Sequence, residues 1–245
     1  MADVGKQPWY GVAAILSLGL VVSALIGGRA LEKMRSVTDG VTVKGVAKKE
    51  ITADLATWRG QITHRATDLA GGYNELRKKF ATIINFLLQQ GVTAEAVEEG
   101  PINASAHYKR DAKVHATSEI ESHTLTQTFT VTTTDVALAK RLAKESTQLI
   151  REGIAFLSYP PSFYYTKLEG LKLDLLEQAA ENAQLRAECL ARSSGNRVAN
   201  IISAPQGIFQ ITRLNSTETA SWGMYDTSTI EKKVRAVATV RYRTE

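Results

Sequence analysis

The chain has 245 residues, 44% hydrophobic and 22% charged, which is ordinary globular composition and excludes a disordered or fibrous protein. Its single cysteine, Cys189, excludes an intrachain disulfide, and it falls in a run of helical spacing where it reads as a small core residue. A formal charge of +5 and a pI near 9.2 admit an anionic partner, but the basic residues are scattered and form no nucleic-acid patch.

Residues 11–28, GVAAILSLGLVVSALIGG, carry no charge. With Trp9 and Tyr10 they span about 30 Å as a helix, the thickness of a hydrocarbon core. Trp9 and Tyr10 resemble an interfacial aromatic anchor. Arg29 between Gly28 and Ala30 makes a poor cleavage site, so a retained single-span anchor over residues 1–30 is expected, with a cleaved signal as the alternative. Gly19, Ser23 and Gly27 recur every four residues and would let such helices approach closely. The flanking charges (Lys6 before; Arg29, Lys33 and Arg35 after) lean toward a cytoplasmic C-terminal domain by the positive-inside rule.

A polar link at residues 31–40 leads to a strand, VTVKGVA. In ADLATWRGQITHRAT, Ala56, Trp58, Gly60, Ile62 and Ala66 alternate with Thr57, Arg59, Gln61, Thr63 and Arg65, the pattern of a half-buried strand. His64 falls on the apolar side. From Asp68 to Gln90 the period becomes helical, with Leu69, Tyr73, Leu76, Phe80, Ile83, Ile84 and Leu87 as the stripe, Thr67 as cap and Gly91 as stop. A strand around PINASAHYKR and a polar excursion, DAKVHATSEIES, precede HTLTQTFTVTT, in which Leu125, Phe129 and Val131 oppose a row of threonines. A second helix is predicted over 135–152, closed by Gly153. GIAFLSY reads as a strand and PPSFYY as an aromatic turn. A third helix covers about 171–193. ANIISAPQGIFQITR reads as one strand, NSTETASWGMYDTSTI as a mobile loop, and KKVRAVATVRYR as a closing strand with Val234, Ala236, Ala238, Val240 and Tyr242 inward.

The order ββα–ββα–βα–ββ predicts an α+β fold: a largely antiparallel sheet with helices packed on one face, preceded by one transmembrane helix. The free face carries threonines and arginines. Arg59, Arg65, Arg235 and Arg241 are the candidates for an oligomer interface or the lining of an opening.

Catalytic chemistry finds little support. The chain contains no CxxC, HExxH or nucleophile-elbow motif, and its neighbouring carboxylates lie in polar loops. His107, His115 and His123 recur every eight residues. Were the excursion a hairpin, His107 and His123 would face each other as candidate metal ligands, although the spacing matches no standard motif. No cofactor is expected.

VTVKGVAKKEITADLATW, LLQQGVTAEAVEEG, HTLTQTFTVTTTD with GIAFL, AAENAQLRAECLARSSGNRVANIIS and VRAVATVRYR, in that order, together resemble the SIMPL-domain family, which includes bacterial periplasmic immunogenic and envelope-stress proteins. VTVKGVAKKEITADLATW is similar to its opening strands, and LLQQGVTAEAVEEG to its first helix exit. HTLTQTFTVTTTD with GIAFL resembles its central portion, AAENAQLRAECLARSSGNRVANIIS its alanine-rich helix and Gly turn, and VRAVATVRYR its closing strand. The resemblance covers about residues 40–245. It implies an extracytoplasmic α+β domain over 41–245, no established active site, and a tendency of some members to form ring- or channel-like homo-oligomers. That placement outweighs the charge argument. The expectation is a structural or interaction protein held at a bacterial inner membrane, with itself and the bilayer as partners and no enzyme activity. The alternative is a periplasmic ligand- or metal-binding module using the histidine-bearing excursion and the PPSFYY turn.

Overall fold

The computed structural model describes residues 8–38, 40–110, 115–218 and 220–245, with side chains in the first helix described from Val12 to Gly28. In chain order the elements are α1 (Pro8–Thr38), β1 (Gly40–Thr52), β2 (Leu55–Ala66), α2 (Leu69–Gln89), β3 (Val97–Arg110), β4 (Ala116–Thr133), α3 (Val136–Glu145), β5 (Ala155–Ser158), β6 (Ser162–Tyr164), α4 (Leu168–Ser193), β7 (Val198–Ser203), β8 (Gln210–Arg213), β9 (Met224–Tyr225) and β10 (Glu231–Thr244). The fold is α+β, with four α-helices among the described residues.

Among the described residues there are two five-stranded sheets, not the single one expected. One has the order β1-β10-β8-β9 with β7 also on β10; the other has the order β3-β4-β2-β5 with β6 also on β2. The β8–β9 pair is parallel, and β10–β7, β10–β8, β2–β4, β2–β5, β2–β6 and β3–β4 are antiparallel. The reason lies at Ala53–Asp54. No hairpin turn chemistry joins β1 to β2. Instead Ala53 N donates to Ile230 O, Asp54 N donates to Tyr164 O, and the Asp54 carboxylate accepts from Thr166 N and Oγ1. Those long-range partners pass the chain from one sheet to the other.

By its contacts the chain divides into two compact units. The larger comprises Lys48–Leu173 and Ile208–Arg235. Here β2 and β4 run in unbroken register from Ala56 opposite Thr133 to Ala66 opposite His123. Their shared face buries Ala56, Trp58, Ile62, Leu125, Phe129 and Val131, as the alternation requires. Helix α2 adds Leu76, Phe80, Ile83, Phe86 and Leu87, and α3 adds Leu138, Ala139 and Leu142. Phe129 is the hub: its ring lies 5.6 Å from Trp58 and 5.8 Å from Phe80, edge-on in both pairs, and 6.1 Å from Phe156. Trp58 Nε1 donates to Ser158 Oγ, which donates to Ala143 O, so the indole is fully satisfied.

The helix details shift by small amounts. Asp68, not Thr67, caps α2, its carboxylate accepting from Gly71 N. The buried stripe runs Gly72, Leu76, Phe80, Ile83 and Leu87, which leaves Leu69 and Tyr73 on the exposed flank. The predicted second helix is α3 followed by a 3-10 segment, Ser146–Glu152; Gly91 and Gly153 end their elements with φ of 88 and 76. PPSFYY contributes the strand β6, and ANIISAPQGIFQITR splits into β7 and β8.

The smaller unit takes residues up to Ala47, Asp174–Gly207 and Ala236–Glu245. Along α4 the residues Leu175, Ala179, Ala183, Ala187 and Ala191 are buried at spacing four, one continuous seam of small side chains. Gly45 on β1 meets that seam. A Cβ placed on it would lie 2.5 Å from Ala183 N, and nearer still to Ala179 O. Val46 N donates to Asn182 Oδ1 at 3.1 Å beside the contact. The alternation of β10 is met, with Ala236, Ala238, Val240 and Tyr242 buried. Cys189 is exposed rather than in the core, because it lies two positions from Ala187 and Ala191 and so turns away from the seam.

The large apolar side chains of α1 from Val12 to Ile26 are all exposed. Open space surrounds Gly19 and Gly27, and Ser23 is exposed. The side chains of Trp9 and Tyr10 lie outside the described residues. Among the described residues no helix is long and apolar enough to cross a membrane, so the expected span is not shown.

Candidate functional site

The four arginines have separate settings. Arg59 and Arg65 share the face of β2 that points away from the core, opposite Thr130 and Thr124 of β4. Six residues apart, they are separated by roughly 20 Å along the strand. The Arg59 guanidinium sits 4.2 Å over the Tyr159 ring, whose hydroxyl donates to Gln61 Oε1. Arg65 Nε donates to Ser122 Oγ at 2.7 Å, with Glu121 3.4 Å from Nη2. Arg235 pairs in register with Gln210, and Arg241 with Ser203 of β7.

The histidines do not gather. The excursion does form a hairpin of β3 and β4, but His107 lies opposite Ser122 and His123 opposite Ala106, so the two rings take opposite faces. His107 Nε2 is bonded to Thr124 Oγ1 at 2.8 Å, and His115 is exposed. Among the described residues no three His, Cys, Asp or Glu side chains stand close enough to hold a metal. His64 lies on the helix side, 3.4 Å from Lys79 Nζ; partial burial and that lysine's charge push its pKa down, against the pull of Glu75.

The best-built polar centre lies in the segment the sequence reads as a mobile loop. Asp226 follows β9 and accepts at Oδ1 from Ser228 N (3.1 Å) and Ser228 Oγ (2.7 Å). Thr229 Oγ1 donates to its other oxygen. Lys232, with no exposed surface, donates from Nζ to Asp226 O at 2.6 Å and lies 3.4 Å from Oδ2. Burial opposes ionisation of Asp226, but the bonds from Thr229 and Ser228 and the Lys232 charge outweigh it and hold the carboxyl well below its usual range. Burial pushes the Lys232 ammonium down, and Asp226 offsets part of that. With its acceptor sites filled, the carboxylate fixes the loop and is not placed to take a proton from a substrate. The signal for it was the spacing Asp226-x-Ser228-Thr229, in which an aspartate caps its own turn.

This loop borders an open cavity of about 670 Å³, lined among others by Arg213, Asn215, Trp222, Met224 and Tyr225. Trp222 is 85% exposed there, an unusual position for an indole. A smaller hollow of about 170 Å³ adjoins it, with Lys48, Lys233 and Arg235 in its lining.

The elements and their polar loops define an α+β protein of two mostly antiparallel sheets. Residues 41–242 match the model of the SIMPL family, described as protein of unknown function (DUF541), and the chain belongs to that family. No curated protein matches it.

Proposed function

We propose that the chain is a membrane-anchored, extracytoplasmic interaction protein that assembles with copies of itself into a ring or cage, in the setting of envelope stress. The observation that carries this reading is that the chain leaves two elements uncovered. In the β3–β4 ribbon every residue from Asn103 to Arg110 is exposed, as are Ser118–Glu121 opposite them. Tyr108 and Ile120, a cross-strand pair, are each 48% exposed. A two-stranded ribbon bare on both faces is marginal alone in water and gains from burial against another chain. β3 is also the outer strand of its sheet, with a free edge for pairing. In α1 the residues from Val12 to Ile26 are apolar all round and packed against nothing described, which suits a lipid environment better than water.

The test is light scattering of the full chain in detergent, beside a Tyr108→Lys/Ile120→Lys double variant. The expected result is a defined oligomer that the double variant reduces to monomers. A monomeric wild-type chain would overturn assembly. Protease shaving of spheroplasts tests placement: protection of residues 41–245 would put the domain in the cytoplasm and end the extracytoplasmic reading.

A further inference from the structure

The hollow of about 170 Å³ is built from two cross-strand pairs of β10 and β8, Lys233 opposite Thr212 and Arg235 opposite Gln210. Residues directly opposite, and residues two apart, share a face, so these four side chains converge on one patch. Lys48 of β1 and residues 216–218 complete its lining. The walls are pinned before anything binds. Lys233 Nζ donates to Leu214 O at 2.6 Å and to Ser216 O at 3.3 Å. Gln210 Nε2 donates to Ala220 O at 2.6 Å, and its Oε1 accepts from Ala220 N.

Three cations face one carboxylate, Glu218. Among the described residues none of Lys48, Lys233 and Arg235 is in an ion pair. Arg235 Nε is moreover buried and has no hydrogen-bond partner there. A buried cationic N–H without an acceptor is costly, and a preformed, net-positive hollow is where an anionic acceptor relieves that cost. Lys233 is spent on the two carbonyls, which leaves Arg235 and Lys48 as the free charges.

We propose that this hollow binds a phosphate-type oxyanion, as the free ion or as the end of a phosphomonoester, with Arg235 and Lys48 as its charged contacts and Lys233 as the residue that positions the wall. This site is independent of self-assembly. Glu218 sets the selectivity: it accepts a hydrogen bond from a protonated phosphate oxygen, which inorganic phosphate keeps at neutral pH and a phosphomonoester keeps below about pH 6, and it repels sulfate, which carries no proton at either pH. The hollow is large enough for one such group. An organic body would extend into the larger cavity, which shares Thr212, Ser216 and Glu218 with it and offers the exposed Trp222 as a stacking surface.

The experiment titrates the full chain in detergent at about pH 6, where inorganic phosphate and a good share of phenyl phosphate keep a proton and sulfate has none, with each of the three at constant ionic strength made up with sodium chloride, and reads the thermal midpoint and tryptophan fluorescence. A ligand of the native state raises the midpoint saturably. Phosphate is expected to do so and sulfate not; equal responses would overturn the role given to Glu218. Phenyl phosphate binding roughly tenfold tighter than phosphate, with a fluorescence change lost in Trp222→Phe, identifies a phosphomonoester ligand; equal affinities identify the free ion. Arg235→Gln should abolish the shift, and Lys48→Gln, at an exposed position, should weaken it about tenfold. No saturable shift with either phosphate, or an undiminished one in Lys48→Gln, overturns the site. Should Arg235→Gln fail to fold, Lys48→Gln alone decides.

Discussion

Replacing Gly45 by alanine should cost this protein about 3 kcal/mol, and the figure can be worked from the contacts. A Cβ on Gly45 would lie 2.5 Å from Ala183 N and 2.8 Å from Ala183 Cβ, with Ala179 O closer still. Carbon pairs are comfortable at about 3.5–4.0 Å, so α4 must retreat by roughly 1 Å or more. The obstacles are backbone atoms of a helix, which cannot swing aside as a side-chain tip would. Overpacking of this kind costs about 1–3 kcal/mol, and the rigidity of the obstacle puts it at the upper end. Retreat also breaks the bond from Val46 N to Asn182 Oδ1, worth about 1 kcal/mol. Alanine recovers about 0.5–1 kcal/mol because the unfolded chain loses freedom. For a chain of this length about 3 kcal/mol lowers a thermal midpoint by roughly 6–12 °C. Circular dichroism melting measures this, and hydrogen exchange locates it: amides of residues 41–47 should lose protection while those of Ala56–Ala66 keep theirs. A midpoint within about 1 °C of wild type would refute the close-contact argument.

Other outcomes follow from the same contacts. Gly170→Ala, in α4 with nothing within 4 Å of the new Cβ, should stabilise by about 0.5–1 kcal/mol in urea unfolding; a loss would mean that the position is not free. Phe129→Ala removes the ring that Trp58, Phe80 and Phe156 share and should cost about 3–5 kcal/mol by the same measurement, whereas less than about 1 kcal/mol would remove Phe129 from the centre of the core. Asp226 has a native pKa below its unfolded value of 3.8, so its contribution is present above about pH 4 and is lost as pH falls through the depressed native value. Asp226→Asn should lower stability at neutral pH by about 3 kcal/mol and flatten the acid limb of the stability profile, and parallel acid limbs would contradict the assigned role.

The parts of the fold legible in the sequence are those fixed by short-range periodicity. The alternations in β2, β4 and β10 identify the buried faces because a half-buried strand must repeat every two residues. The division into two sheets was not legible. It depends on which strand claims the backbone of Ala53 and Asp54, and those claimants, Ile230 and Tyr164, lie more than a hundred residues away. The placement of Cys189 failed for a local reason: the helix was identified, but not the face on which its alanines pack. The polar loop after β8 looked mobile because it has few apolar residues. Its order comes from one aspartate, two hydroxyls and a fully buried lysine, whose cooperation no window of hydrophobicity reveals.

The segments that carry the family resemblance bear on the search for function through what they do in the structure. The glycine of VTVKGVA is where β1 touches α4, and the alanines of AAENAQLRAECLARSSG are the seam it touches. The alternation of HTLTQTFTVTTTD and VRAVATVRYR sets buried faces. These motifs therefore report packing, and any chain that builds the same contacts needs them whatever it binds. The oxyanion hollow draws Lys48 and Arg235 from motif strands, but at positions outside the buried alternation of those strands, Lys48 exposed and Arg235 half-buried. Ser216, Thr217, Glu218 and Trp222 come from the loop between the motifs. A residue that packing does not dictate and that still converges with its neighbours on a preformed cavity is a better pointer to function than a motif that packing explains.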